Sequence, residues 1–207
     1  VILMPQVTAL NRAYVSVSGD GQVATGLLIA AEGSSFSATD GAKLWLTNLT
    51  ELVVGNSHMT LSSSGPDSVI DLSSVTNIVA SESGYSLGIN SSGGGSVDLH
   101  RLIRPAGYFS VSAYAPGSVV DLSGLSGTLG ESPGQYVSLS VADGGVILMP
   151  QVTAFYGVTI SVSGDGEVDH GLLTGIEGCT FYAYNGAKIW LTNLTTLTLT
   201  NAGLNVY

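Results

Sequence analysis

Ala42-Lys43-Leu44-Trp45-Leu46-Thr47-Asn48-Leu49-Thr50 returns as Ala187-Lys188-Ile189-Trp190-Leu191-Thr192-Asn193-Leu194-Thr195. Its first five residues alternate: Leu44 and Leu46 stand against Lys43 and Trp45, which is the period of a strand. Leu46, Leu49 and Leu52 then recur at every third place, the spacing of a chain that bends repeatedly around a narrow core. The stretch is a building unit of strand and bend, and it carries no catalytic motif.

The unit belongs to two nested periods. Residues 1–62 align without a gap onto residues 146–207 with 34 identities in 62 pairs, a long period of 145 residues. Aligning the strand ends gives Pro5, Gly26, Leu46, Leu72, Leu99, Leu122, Pro150, Gly171 and Leu191, which are 21, 20, 26, 27, 23, 28, 21 and 20 residues apart. Spacings of about 20 to 28 residues are those of a solenoid, in which each turn buries its face against its neighbours. Val, Ile, Ser, Thr and Gly dominate, and Gly marks the corners in Ser18-Gly19-Asp20-Gly21, Asp40-Gly41, Gly93-Gly94-Gly95 and Asp143-Gly144-Gly145, so strands are expected and helical repeats are not. The expected fold is all-β: a single-stranded parallel β-helix over residues 1–207, continuous because no linker interrupts the pattern. Eight or nine coils at roughly 4.8 Å per strand would make a rod on the order of 40 Å long.

Composition narrows the partners. Five Lys and Arg stand against 15 Asp and Glu, a formal charge of -10, and such a field repels nucleic acid. No run approaches the roughly 18 apolar residues of a membrane helix, and no basic amphipathic helix is visible, so no membrane insertion is expected. The single cysteine, Cys179, excludes an internal disulfide framework. It takes the place of Ser34 in the other copy, which points to a small-residue packing site. The opening Val1-Ile2-Leu3, with no initiator Met or leader, reads as part of a longer chain.

Coils such as Ser68-Val69-Ile70-Asp71-Leu72-Ser73-Ser74-Val75 and Gly117-Ser118-Val119-Val120-Asp121-Leu122-Ser123-Gly124-Leu125 resemble those of large bacterial surface and secreted β-helix repeat proteins. That resemblance spans nearly the whole chain. It implies a right-handed coil, an extracellular or cell-surface location, and a role in adhesion, surface layers or fibres. It implies no catalytic residues.

Three sets of side chains are candidate sites. Lys43, Trp45, Lys188 and Trp190 should point outward, and stacking is expected to set both tryptophans in one column with Met4, Thr25, Asp71, Asp98, Asp121, Met149 and His170. An exposed Trp beside acids and a Lys can stack on a sugar ring, which makes a polysaccharide a candidate ligand; cover from a neighbouring loop or from Lys43 is the structural alternative. At the corners, Asp20, Asp40, Asp143 and Asp165, with Asn185 in the place of Asp40, offer hard oxygens that could hold Ca²⁺. Asp or Asn before Gly is equally what a tight turn requires, and no other cofactor is expected. In Asp98-Leu99-His100-Arg101-Leu102-Ile103-Arg104, His100, Arg101 and Arg104 are the only local concentration of catalytic side-chain types, of the kind polysaccharide lyases and hydrolases use. The tripeptides at Asn48, Asn90 and Asn193 fit the glycosylation sequon, although Asn48 and Asn193 fall in the bend, where a backbone hydrogen bond is expected. Thr196-Leu197-Thr198-Leu199-Thr200 is threonine-rich in one coil only.

Both termini read as strand, so open solenoid ends are expected to pair with another copy of the chain or with the rest of a longer repeat array. The sequence therefore favours a structural rod or fibre segment. A carbohydrate-binding adhesin and a polysaccharide-active enzyme are the alternatives.

Overall fold

A computed structural model of the chain describes residues 1–4, 6–79, 84–103, 105, 107–130, 136–198 and 203–206. It is all-β among these residues: parallel strands stack as a solenoid of about eight turns.

Most turns are built in the same order. A short strand such as Lys43–Trp45 enters a tight turn, a second short strand such as Glu51–Val53 follows, and a longer strand such as Met59–Ser64 leads to the Gly-rich corner. Stacking produces a short face of eight strands, from Ile2–Leu3 to Glu167–Asp169, and a long face of nine, from Tyr14–Ser18 to Gly203–Val206. A third face is split into two sheets of four strands, one running from Ala9–Asn11 to Asn77–Val79 and the other from Ser126–Leu129 to Thr196–Thr198. All pairings are parallel, as consecutive turns of one coil require.

The three-residue spacing has a direct cause. The Leu49 amide donates to the Leu46 carbonyl at 3.0 Å, Val75 to Leu72 at 2.8 Å, Leu102 to Leu99 at 2.9 Å and Leu125 to Leu122 at 2.9 Å. The chain thus turns through about 3 residues per bend and returns the same face to the core, so Leu46, Leu49 and Leu52 are all fully buried. On the long face the inward ladder is Phe36, Leu61, Ile89, Val111, Leu139, Ile160 and Phe181, each opposite the next. Where that face meets the corner the inward positions shrink to Ala38, Ser63, Ser91 and Ala113. Burial of the hydroxyls is offset by hydrogen bonds to the turn: Ser63 Oγ donates to the Ser68 carbonyl at 2.9 Å and Ser91 Oγ to that of Gly95 at 2.5 Å.

The corners come in two sizes that fit together. Gly65-Pro66-Asp67-Ser68 and Ala115-Pro116-Gly117-Ser118 spend four residues and end in a buried Ser. The Ser68 hydroxyl donates to the Ser64 carbonyl at 2.7 Å and accepts from the Gly41 amide of the preceding coil at 2.9 Å. Ser118 repeats this with Tyr114 at 2.5 Å and Gly94 at 3.0 Å. The next corners, Gly93-Gly94-Gly95 and Asp143-Gly144-Gly145, are one residue shorter and close on glycine, and a Cβ at Gly145 would sit 2.2 Å from the Ala113 carbonyl oxygen.

The strand alignment inferred from the sequence needs one correction. Trp45 pairs with Ala24 and Asp71, and Asp121 pairs with Leu148, which in turn pairs with Asp169. The outward column therefore contains Ala24, Leu148 and Asp169, and Thr25, Met149 and His170 fall one place later, level with Leu46, Leu72, Leu99 and Leu122. Met4 is likewise one place beyond Leu3, which pairs with Ala24. Thr25 and Met149 are buried accordingly. The spacing from Thr25 to Leu46 is then 21 residues and that from Leu122 to Met149 is 27.

Candidate functional site

Lys43 and Trp45 flank the buried Leu44, and both lie half-exposed on the outer side of the short face. Lys43 Nζ donates to the Asp67 carbonyl of the next corner, so this lysine ties one coil to the next. Lys188 and Trp190 repeat the pair differently: Trp190 is 66 % exposed and Lys188 Nζ lies 5.9 Å from its ring centroid, within cation–π range. The column does not bring the tryptophans together. Asp71, Asp98, Asp121, Leu148 and Asp169 follow Trp45 in it, a span of five coils or roughly 24 Å, and Trp190 lies beyond its last ladder.

Three acids of that column are occupied by their own turns. Asp71 Oδ1 accepts from the Ser73 amide at 3.0 Å, Asp98 Oδ1 from that of His100 at 3.0 Å, and Asp121 Oδ1 from that of Ser123 at 2.9 Å. These are Asx turns, in which a short side chain caps a bend. Asp98 Oδ1 also meets His100 Nδ1 at 2.8 Å, both groups being well exposed. Arg101 is exposed beside them, and Arg104 lies outside the described residues.

At the corners, Asp40, Asp143 and Asn185 hold left-handed backbone with φ of 56°, 52° and 54°, where Gly19, Gly93 and Gly164 stand in other coils at 61°, 58° and 59°. Asp and Asn tolerate that region better than other side chains, which accounts for their place before Gly. Asp20 and Asp165 take the second corner position. The four aspartates form two pairs in neighbouring coils, Asp20 with Asp40 and Asp143 with Asp165, and four coils or roughly 19 Å separate Asp40 from Asp143. Among the described residues no three His, Cys, Asp or Glu side chains converge as a metal site would require.

Asn48 Nδ2 donates to the Gly26 carbonyl at 2.6 Å and Asn193 Nδ2 to that of Gly171 at 2.9 Å, so both serve as rungs between coils. Asn90 lies on the long face, where its Oδ1 accepts from Ser112 Oγ at 2.6 Å.

Cys179 and Ser34 do the same work. Ser34 Oγ accepts from the Ala13 amide at 3.1 Å and donates to the Glu32 carbonyl at 3.0 Å, while Cys179 Sγ accepts from the Val158 amide at 3.3 Å and donates to the Glu177 carbonyl at 3.4 Å. Burial raises the thiol pKa, opposed by backbone hydrogen bonds at Val158, Glu177 and Gly157. Cys179→Ser should therefore leave folding stability within about 1 kcal/mol of the original at neutral pH. The folded chain holds the thiol proton more tightly than the unfolded one, so the original should lose stability relative to Cys179→Ser as pH rises above the ordinary thiol value of 9.0. Urea unfolding of both proteins at neutral and alkaline pH checks this.

No motif in the sequence signals a cleft at the C-terminal end. Glu167–Asp169 pairs only with Val146–Leu148, and residues 188–190 form no ladder with it. Between them opens a space of about 610 Å³ that reaches the core residues Ile160, Val162 and Phe181 and has Lys188, Trp190 and His170 in its wall. In the other copy the same stretch, Lys43–Trp45, is paired on both sides. No protein-family model, curated protein or solved structure matches this chain.

Proposed function

We propose that the chain is a structural segment of an extracellular or cell-surface rod, joined end to end with further copies of itself. The observation that carries this reading is the state of the two ends. Ile2–Leu3, Ala9–Asn11 and Tyr14–Ser18 are each the last strand of their sheets, as are Thr196–Thr198 and Gly203–Val206 at the other end. A terminal parallel strand offers a row of unpaired amides and carbonyls, a template for the next strand. Residues 188–190 add to this: the sequence that is paired on both sides at Lys43–Trp45 forms no ladder here. Electron microscopy of the purified protein is expected to show filaments much longer than the roughly 40 Å of one rod. Discrete short rods at high protein concentration would exclude end pairing.

A second reading rests on the exposed Trp190 at the wall of the C-terminal cleft, the geometry of a carbohydrate-binding adhesin. Quenching of Trp fluorescence by oligosaccharides, lost in Trp190→Ala and kept in Trp45→Ala, would support it. No response to any sugar would remove it.

A further inference from the structure

The long face differs in chemistry from the rest of the surface. One residue in ten of the chain is charged, yet none of the nine strands from Tyr14–Ser18 to Gly203–Val206 contains an Asp, Glu, Lys, Arg or His. Its outward ranks are hydroxyls and amides instead. Ser16, Ser37 and Ser62 lie in one column, Asn90 follows, and Ser112, Ser140 and Ser161 continue it. Ser35, Thr60, Ser110, Ser138 and Thr159 stand in the flanking column on one side, and Tyr108 and Tyr136 meet at 6.3 Å between ring centroids beyond it.

The charges are placed elsewhere. The short face carries Asp71, Asp98, Asp121, Glu167 and Asp169. The third face carries Glu32, Glu51 and Glu177. Two copies of a chain with formal charge -10 repel through either of these faces, and the long face is the one on which they can approach without opposing acids. Its extent is sufficient: nine strands at about 4.8 Å by about six residues at 3.3 Å give on the order of 800 Å², and a specific interface buries about 800 Å² per partner. Its freedom from charge and its tyrosines suit a surface that must be desolvated.

We infer that the long face is a lateral contact surface whose occupant is the long face of a second copy of this chain, independent of any pairing at the ends. The rims choose the orientation. Within three residues of the strands, the edge at the corner holds Asp20, Asp40, Asp67, Asp143 and Asp165, while the opposite edge holds, among the described residues, Glu32 and Glu177 together with Arg12 and His58. A two-fold axis along the rod brings each acidic rim to the partner's less acidic rim. An axis along the strands would oppose acid to acid. The two rods therefore run in the same direction, and filaments growing at their ends can lie side by side.

Sedimentation velocity over a range of protein and NaCl concentrations tests the proposal. The expected result is a dimer that strengthens with salt, because screening weakens the repulsion between acidic copies. The double variant Ser62→Asp/Ser140→Asp should weaken it by about a hundredfold or more, since the added charges meet their own images in a desolvated contact. Thr47→Asp, which adds an acid in an exposed bend away from this face, should leave it unchanged, and circular dichroism confirms folding of each variant. A monomer under all conditions, or a dimer that survives the double variant, would overturn the inference. So would a monomer that binds insoluble neutral polysaccharide and loses that binding in the double variant, for the face would then belong to a glycan. Filament length in electron micrographs reports the end contacts separately, because single rods can still pair side by side.

Discussion

Gly145→Val is expected to cost about 3 kcal/mol or more of folding stability, the range of severe overpacking. A Cβ at this position would lie 2.2 Å from the Ala113 carbonyl oxygen, 2.4 Å from its carbon and 2.8 Å from the Tyr114 amide nitrogen. These are backbone atoms of the neighbouring coil, so no rotamer change relieves the clash. The coils would have to separate, and the ladder between Tyr108–Tyr114 and Tyr136–Ala142 begins one corner away. Gly186→Ala is the matching control. Its backbone is left-handed, φ 77°, but nothing lies within 4 Å of the added Cβ, so it should cost only the conformational strain of about 1 kcal/mol. Chemical denaturation of both variants measures the difference; equal small losses would show that the corner has room to expand.

Leu44→Ala should cost about 3 kcal/mol, within the range for a buried Leu, while Ile189→Ala at the same place in the other copy should cost about 1 kcal/mol or less. Leu44 is fully buried and its strand is held between Gln22–Ala24 and Val69–Asp71. Ile189 is partly buried in the wall of the C-terminal cleft, and its segment has no ladder on either side. Two nearly identical sequences thus carry different energies because of what stacks on them. If capture of another copy at this end closes the cleft, Ile189→Ala should become costly in filaments, and amide exchange should slow at residues 188–190 and remain unchanged at 43–45.

Much of the architecture is written locally. Leu46, Leu49 and Leu52 announce a bend because the turn hydrogen bond returns every third residue to the core. Glycine announces the corners because left-handed backbone is costly for other side chains. The strand ends are displaced by one place at Thr25 and Met149 for an equally local reason: the inward site there holds Thr or Met in place of Leu, and a Gly or Pro follows where a strand end is expected. Thr25 Oγ1 is, among the described residues, the one buried side-chain oxygen without a hydrogen-bond partner, so hydrophobicity gave no hint that the position faces inward. The outward direction of Trp45 followed from alternation alone, but the distance to Trp190 depends on counting coils. The uncharged long face is legible only once strands some 20 residues apart are set side by side, since no single strand of four to seven residues is unusual in lacking charge.

The corrected spacing also has a genetic reading. The 145-residue repeat contains a whole number of turns, so Leu3 and Leu148 stand in the same column of the short face. Unequal crossing-over between the two copies would insert or remove six complete turns and leave every inward ladder and every outward column in phase. A lineage could lengthen or shorten the rod in steps of roughly 29 Å without passing through a misfolded intermediate. Rod length would then be a heritable trait that varies by recombination, separately from the point mutations that alter its surfaces.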